Sequence, residues 1–462
     1  MNILVTLANY GTKNDGYLHR LLEEYRSMSH RVHVVVLTNQ PKELGSDIEV
    51  CVERPLGDPW TFPFAHKRIL AERCSVYDLF IYSEDDTLIT QRNIDAFVWA
   101  TATLKQDEIA GFLRSETGLD NKRYYSSIHS HFHWDPASIV SRGDCLYARF
   151  SNEHSASYIL TQKQLRRAID SGGFLVEPHQ EKYDLLVTAA TDPYTQCGLK
   201  KLINISRLQD FTLPHLPNKY VGQMGLAEND LDRQVDALRS IAQASHPCSM
   251  LFDSEAHLPG GKWSKSYYET PRSDIEQLIP AEVRTLLSYG CGCGELESSL
   301  MERGVRVTAI PIDSVIGRCA EARGMRVVYG DSHRALSQIS RESFDCVLVI
   351  GVLHLLPQPQ RVLSDLAALL SPGGVIVASA PNMRQAPVLW RRATRQRGFT
   401  DLGKHDLTGV QLTSARVLRK WLNQSNLVVR KVDPVVSRRA RRFATVFSDL
   451  VASEWLVVGA KI

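Results

Sequence analysis

The chain has 462 residues, 54 of them basic and 51 acidic, for a formal charge of +3, with 44% hydrophobic and 23% charged side chains. That composition excludes disordered and fibrous chains, and no apolar run approaches the roughly 18 residues that span a bilayer. At roughly 150 residues per domain the length predicts two large or three smaller domains. The opening MNILVTLANYG reads as a first strand and not a signal peptide, and nine cysteines without metal-type spacing point to a reducing, cytoplasmic compartment. The +3 is a cancellation. Between Arg384 and Arg442, 12 Arg and 3 Lys face only Asp401, Asp406 and Asp433, a local +12 that leaves −9 for the rest of the chain. A segment of that charge is either a solvated surface or one that faces anions.

Short strands (NILVTLA, RVHVVVLT, YDLFIYS) alternate with helical stretches such as YLHRLLEEYRSM up to about residue 235. The segment QASHPCSMLFDSEAHLPGGKWSKSYYETP follows, rich in Ser, Pro and Gly and without a period, and predicts a linker over 236–271. From residue 272 the alternation restarts with TLLSYG, VRVTAIPI, FDCVLVIG and GVIVASA. The expected architecture is therefore two tandem α/β domains, 1–235 and 272–462.

In the first domain, the apolar strand in YDLFIYSEDDTLIT delivers Glu84, Asp85 and Asp86 together at its carboxyl end. Adjacent acids repel unless a cation offsets them, and oxygen-rich ligands favour Mg or Mn. The first strand ends in Ala8, Asn9 and Tyr10, a small and aromatic set suited to holding a base, and Lys67 and Arg68 open a helix before the acidic strand. Together these residues resemble GT-A glycosyltransferases. The resemblance implies a nucleotide-sugar domain in which Asp86, with Glu84 or Asp85, holds a divalent metal (Mn or Mg), and in which a late histidine, His215 in FTLPHLPNKYVG, completes the coordination. If the anomeric centre inverts, a carboxylate must take a proton from the acceptor. VEPHQEKYDLL offers Glu177, at the end of a strand-like run, and Glu181 and Asp184, three apart on one face if that stretch is helical; Glu181 is preferred. Arg114 and Glu116 are candidates to line the sugar pocket. His129, His131 and His133 alternate as on one strand face without a carboxylate in frame, which argues against zinc, and Trp134 suits stacking on a sugar ring.

In the second domain, LLSYGCGCGELESSL runs an apolar strand into a glycine loop, Gly290, Gly292 and Gly294, and then a helix, the place where open α/β sheets bind ligands. With the strands that follow, this resembles the class I S-adenosylmethionine-dependent methyltransferases over essentially all of 272–462, a Rossmann-like fold. The resemblance implies that the glycines hold the methionine part of the cofactor and that Asp331 lies by the adenine. Two positions depart from the family: Ser288 stands where an Asp usually precedes the loop, and Pro311 takes the ribose-binding acid position, leaving Asp313 as the substitute. His354, after the fourth strand, is the candidate base for an acceptor hydroxyl, with His405 and Asp406 as second choices.

The function expected from these readings is a bifunctional enzyme: metal-dependent transfer of a sugar from a nucleotide sugar to a glycan or glycolipid acceptor, then O-methylation by the C-terminal domain. The Arg-rich segment is then a docking face for anionic acceptors or for the inner face of a membrane; no feature points to nucleic acid. The alternative left open is a glycosyltransferase whose second domain binds an acceptor, partner or membrane without catalysis.

Overall fold

The computed structural model describes residues 1–461 except 56, 127–132, 222–224 and 270. Two compact units emerge: residues up to 129 together with Ser138–Asp232, and Arg233–Ile462 together with a short stretch ending at Ala137. The strands of the first unit are β1 (Asn2–Asn9), β2 (Arg31–Thr38), β3 (Ile48–Val52), β4 (Leu79–Glu84), β5 (Glu108–Gly111), β6 (Leu113–Thr117), β7 (Arg123–Ser126), β8 (Trp134–Arg142), β9 (Cys145–Phe150), β10 (Ser157–Thr161), β11 (Lys200–Asn204), β12 (Thr212–Pro214) and β13 (Gly225–Ala227). Residues of β8 before Ser138 cluster with the second unit. The principal sheet has the order β10-β4-β1-β2-β3; β10 runs antiparallel to β4 and the other pairs are parallel. Two smaller sheets, β5-β11-β9-β8 and β12-β6-β7-β13, complete it.

The parallel strands are apolar along nearly their whole length because both faces are covered: β1 is buried at every position after Asn2. Helix Asp15–Ser27 packs on the core through Leu18, Leu21, Leu22 and Tyr25, the spacing of a single helical stripe. β4 and β1 lie side by side in parallel, so the acidic turn after Glu84 and the loop after Asn9 emerge at the same edge of the sheet.

The second unit holds β14 (Thr285–Cys291), β15 (Arg306–Pro311), β16 (Arg326–Val327), β17 (Phe344–Val349), β18 (Leu370–Pro381), β19 (Leu427–Val435) and β20 (Glu454–Lys461). They form one sheet in the order β16-β15-β14-β17-β18-β20-β19, parallel through β18 and antiparallel at β20. The order reverses between β14 and β17, and a crevice opens outside the carboxyl ends of strands at such a point. Helix Pro359–Ala368 buries Val362, Leu363, Leu366 and Ala367 against one face, joined there by Leu418, Trp421 and Leu422 of helix Ala415–Gln424. The segment expected to link two domains does not do so as free chain. It clusters with the second unit, where Leu251 is buried in the sheet's core and donates its N–H to the Ile312 carbonyl at 2.9 Å. Leu251 and Phe252 pack on the sheet's core, while Ala256 and Leu258 join a smaller cluster with Leu355, Met383 and Phe399. Among the described residues no helix is long and apolar enough to cross a membrane.

Candidate functional site

In the first unit the acidic turn is built at the end of β4. Asp85 is buried and accepts hydrogen bonds of 2.7 Å from the amides of both Asn9 and Asn14. Burial pushes its carboxyl up to about 6, the two amides acting against it. Asn9 therefore acts here as a brace for Asp85; Asn14 was not picked out in the sequence, although it recurs five residues on in the same loop. Ala8 is covered within β1, whereas Tyr10 is 48% exposed and makes a T-shaped contact with Phe62.

Asp86 faces His215. The loop after β12 is tied to the acidic turn by the Leu216 N–H on the Asp86 carbonyl at 2.9 Å and by a bridge between Thr87 and His215. His215 Nε2 lies 3.4 Å from Asp86 Oδ2, and its Nδ1 is 2.5 Å from Glu116 Oε1. Glu116 also accepts the Tyr220 N–H at 2.8 Å, and the Tyr220 ring stacks on the imidazole. Although burial opposes ionisation of Asp86, His215 and Arg114 outweigh it and hold the carboxyl below its usual range. Glu84 behaves oppositely: burial, then the Asp86 charge, push it up to about 8, and its Oε1 is buried without a hydrogen-bond partner. Asp86 and His215 present one oxygen and one nitrogen donor on the same side, and a carboxylate behind the distal ring nitrogen is the usual support of a metal-binding imidazole. The described residues contain no group of three or more such donors, so a metal here would take its remaining ligands from substrate and water, as magnesium does at phosphate sites.

Three expectations need correction. Lys67 is buried in an ion pair with Asp192, which also meets His179 at 3.1 Å, and is not free to hold a diphosphate. Arg68 is turned to solvent and paired with Glu53. Glu177 is exposed in irregular chain, and Glu181 and Asp184 do not share a helix face, because the helix begins at Leu185 with Asp184 as its N-cap, accepting the Val187 N–H at 3.0 Å. Of the three carboxylates Asp184 is the one whose charge is felt at Glu84, while Glu181 accepts a hydrogen bond from Gln196 at 3.2 Å. Arg114 is buried with its guanidinium over the Tyr220 ring, and so acts on the acidic turn electrostatically. His129 and His131 lie outside the described residues.

In the second unit, Gly290 (φ 79°) and Gly294 (φ 86°) adopt the left-handed conformation that lets the loop turn into helix Glu295–Glu302. Gly292 has a different reason: a Cβ there would collide with the carbonyl of Tyr267. That carbonyl accepts the Cys293 N–H at 2.8 Å. Asp313 caps helix Ser314–Ala322, accepting from the Val315 and Ile316 amides, while its other oxygen accepts the Tyr267 hydroxyl at 2.7 Å; burial pushes it up to about 6. Asp331 is exposed and caps helix Ser332–Gln338. Ser288, at the position of the missing acid, donates to buried Glu297 at 2.5 Å, so a carboxyl from the following helix sits under the loop.

His354 does not point at an acceptor. It is buried, its Nε2–H is given to the Trp263 carbonyl at 2.7 Å, and burial pushes its pKa down to about 4. His405 likewise donates to the Leu355 carbonyl at 3.0 Å, and Asp406 is exposed. His133 and Trp134 are both buried, the indole N–H on Gln234 at 3.0 Å, so neither presents a face to a sugar. Chain from within the same unit lies against the glycine loop and the neighbouring strand end, with the Tyr267 carbonyl on the Cys293 N–H and the Lys265 ammonium on the Ile350 carbonyl. Lys265 and Tyr267 carry no sequence signal beyond lying in an aperiodic stretch.

Residues 264–432 match the family model described as a methyltransferase domain. The chain is 26% identical over 175 residues to a ubiquinone biosynthesis O-methyltransferase of Coxiella burnetii, covering 37% of this chain and 75% of that protein. It is 30% identical over 123 residues to an uncharacterized methyltransferase of Mycobacterium bovis, covering 25% and 60% respectively. A solved S-adenosylmethionine-dependent methyltransferase from Archaeoglobus fulgidus aligns over 41% of this chain and 92% of its own, at 16% identity and a TM-score of 0.32. The matches over residues 264–432, with the glycine loop at the switch point of a mostly parallel sheet, support a class I S-adenosylmethionine-dependent methyltransferase domain in the C-terminal unit.

Proposed function

We propose that the chain is a two-domain transferase of surface-glycan type. Its first unit is a GT-A-like glycosyltransferase that uses a nucleotide sugar, and its second unit serves O-methylation of the glycan or glycolipid product. The observation that carries the first half is the convergence of Asp86, His215 and Glu116 at the carboxyl end of β4, beside the end of β1. The sheet order, with one antiparallel strand against β4, is consistent with it.

Asp86 and His215 would hold the divalent metal, Mn or Mg, and Glu116 would fix the imidazole so that Nε2 faces it. The metal, when bound, offsets the charge that develops on the leaving diphosphate. Asp85, braced by Asn9 and Asn14, is set to accept hydrogen bonds from the donor, and Tyr10 offers an exposed ring for its base. Asp184, the N-cap of the helix that begins at Leu185, would take the acceptor's proton. The family of the second unit and its O-methyltransferase relatives support the methylation half.

Thermal shift with a panel of nucleotide sugars, with and without manganese, tests the first half. Stabilisation that requires both metal and donor and disappears in Asp86→Ala is expected; no response to any donor would overturn it. The acceptor would meet the basic segment at helix Ala386–Ala393, where Trp390 is 65% exposed next to Arg391 and Arg392. Sedimentation with phosphatidylglycerol vesicles should fall in Trp390→Ala and in Arg392→Glu. Equal recovery of all three proteins would remove the membrane from this reading.

A further inference from the structure

The chain that lies against the glycine loop does so at several points at once. Met250 bridges Asp313 and the Leu251 amide donates to Ile312, laying this stretch across the end of β15. The Phe252 ring follows, stacked near Tyr289 and close enough to Gly290 that a Cβ there would come within 3.3 Å of it. Gly260, Gly261 and Trp263 all take positive φ (70°, 57° and 68°), turning the chain sharply. A tryptophan held there is strained. Beyond that turn Lys265 is 3% exposed, and its Nζ donates at 2.8 Å to the Ile350 carbonyl at the end of β17 while pairing with Glu269. Two residues later the Tyr267 carbonyl accepts the Cys293 N–H of the glycine loop, and its hydroxyl donates to Asp313.

A loop N–H, a carbonyl at the end of β17 and a carboxylate after β15 are among the polar groups an open α/β sheet presents to a ligand at its switch point. Each is engaged by one short stretch, through an ammonium, a carbonyl and a hydroxyl.

We propose that Ser264–Glu269 is an intramolecular plug of the cofactor cleft: the ammonium of Lys265 and the carbonyl and hydroxyl of Tyr267 occupy the groups that would otherwise hold the cofactor, so plug and cofactor exclude one another. Cofactor enters only when the segment after Trp263 swings out, with the strained 260–263 turn as its hinge. This rests on the methyltransferase reading of the second unit and adds a gate to it. Displacement frees the Cys293 amide, the Ile350 carbonyl and one Asp313 oxygen together, so opening is all-or-none within the strap.

Binding of S-adenosylhomocysteine to the full chain, by calorimetry and by hydrogen exchange, tests the gate without requiring turnover. Lys265→Ala and Tyr267→Phe should each bind at least about tenfold more tightly than wild type. In wild type, saturating ligand should raise exchange at the amides of 264–269. Tyr267→Phe removes a single oxygen and carries the test if Lys265→Ala does not fold; unchanged melting of the other variant shows that the fold is intact. The gate is overturned if ligand binds wild type with the 264–269 amides still protected, or if folded variants gain nothing. Absence of binding in all three proteins also overturns it, the strap then being a permanent filling. Donor-sugar stabilisation of the first unit is read separately and is unaffected by any of these outcomes.

Discussion

His215 Nε2 stands 3.4 Å from Asp86 Oδ2 although the two residues follow strands of different sheets, β12 and β4. The pairing survives because Glu116, on β6 beside β12, holds the other ring nitrogen. Removing that support should loosen the imidazole without removing a donor. Glu116→Gln is therefore expected to weaken manganese affinity by about 10–100-fold, against complete loss in Asp86→Ala, measured by titration of the metal in the presence of nucleoside diphosphate. Equal affinity in Glu116→Gln and wild type would show that the carboxylate does not position the ring.

Asp184 and Glu181 separate by one kind of measurement. Asparagine caps a helix as well as aspartate does, so Asp184→Asn should preserve stability and donor binding while lowering sugar transfer by about 10²–10⁴-fold. Glu181→Gln should stay within about twofold of wild type. The reverse ranking would return the proton-accepting role to Glu181.

The pair between Lys67 and Asp192 is almost fully covered, at 2% and 0% side-chain exposure. Asp192→Ala leaves an ammonium buried beside the Phe64 ring and should cost about 3–5 kcal/mol in urea unfolding, because removing one partner strands the other's charge. A loss below about 1 kcal/mol would mean that Lys67 escapes to solvent and is available to a diphosphate after all.

His354 makes stability depend on pH in one direction. Burial lowers its pKa from 6.5 to about 4, so below pH 6.5 the unfolded chain takes up a proton that the folded chain does not. Stability contributed by the neutral ring is complete above about pH 6.5 and is lost as pH falls toward 4. His354→Gln should flatten this part of the stability profile of the full chain. A variant with the wild-type slope would place the titration elsewhere.

Much of the fold was written in local pattern. Apolar runs bounded by Gly, Asn and acidic turns located β1, β4, β14 and β17, because a strand covered on both faces must be apolar throughout. The acidic turn and the glycine loop could be found for the same reason: each is the chemistry left exposed where such a run ends. Asp86 and His215 were legible as types, and their meeting required only that two loops share an edge.

Environment was not legible. Lys67, Arg68 and His354 have the residue types of binding and catalysis, yet Lys67 is buried on Asp192, Arg68 is turned to solvent beside Glu53, and the His354 Nε2–H is given to the Trp263 carbonyl. No spacing rule reports such partners, since they come from distant parts of the chain and their effect depends on burial. The same holds for residues 236–271, which read as linker because they lack a period: they begin inside helix Glu228–Ala242, and the irregular chain after it can still be buried when its carbonyls and side chains meet donors on a preformed sheet. By itself the sequence determined the α/β class, the two strand-end edges where the acidic turn and the glycine loop lie, and the residue types placed there. Tertiary structure alone decided which of those groups are free, because hydrogen bonding and desolvation are properties of neighbours brought together by folding, and at the glycine loop those neighbours are Lys265 and Tyr267.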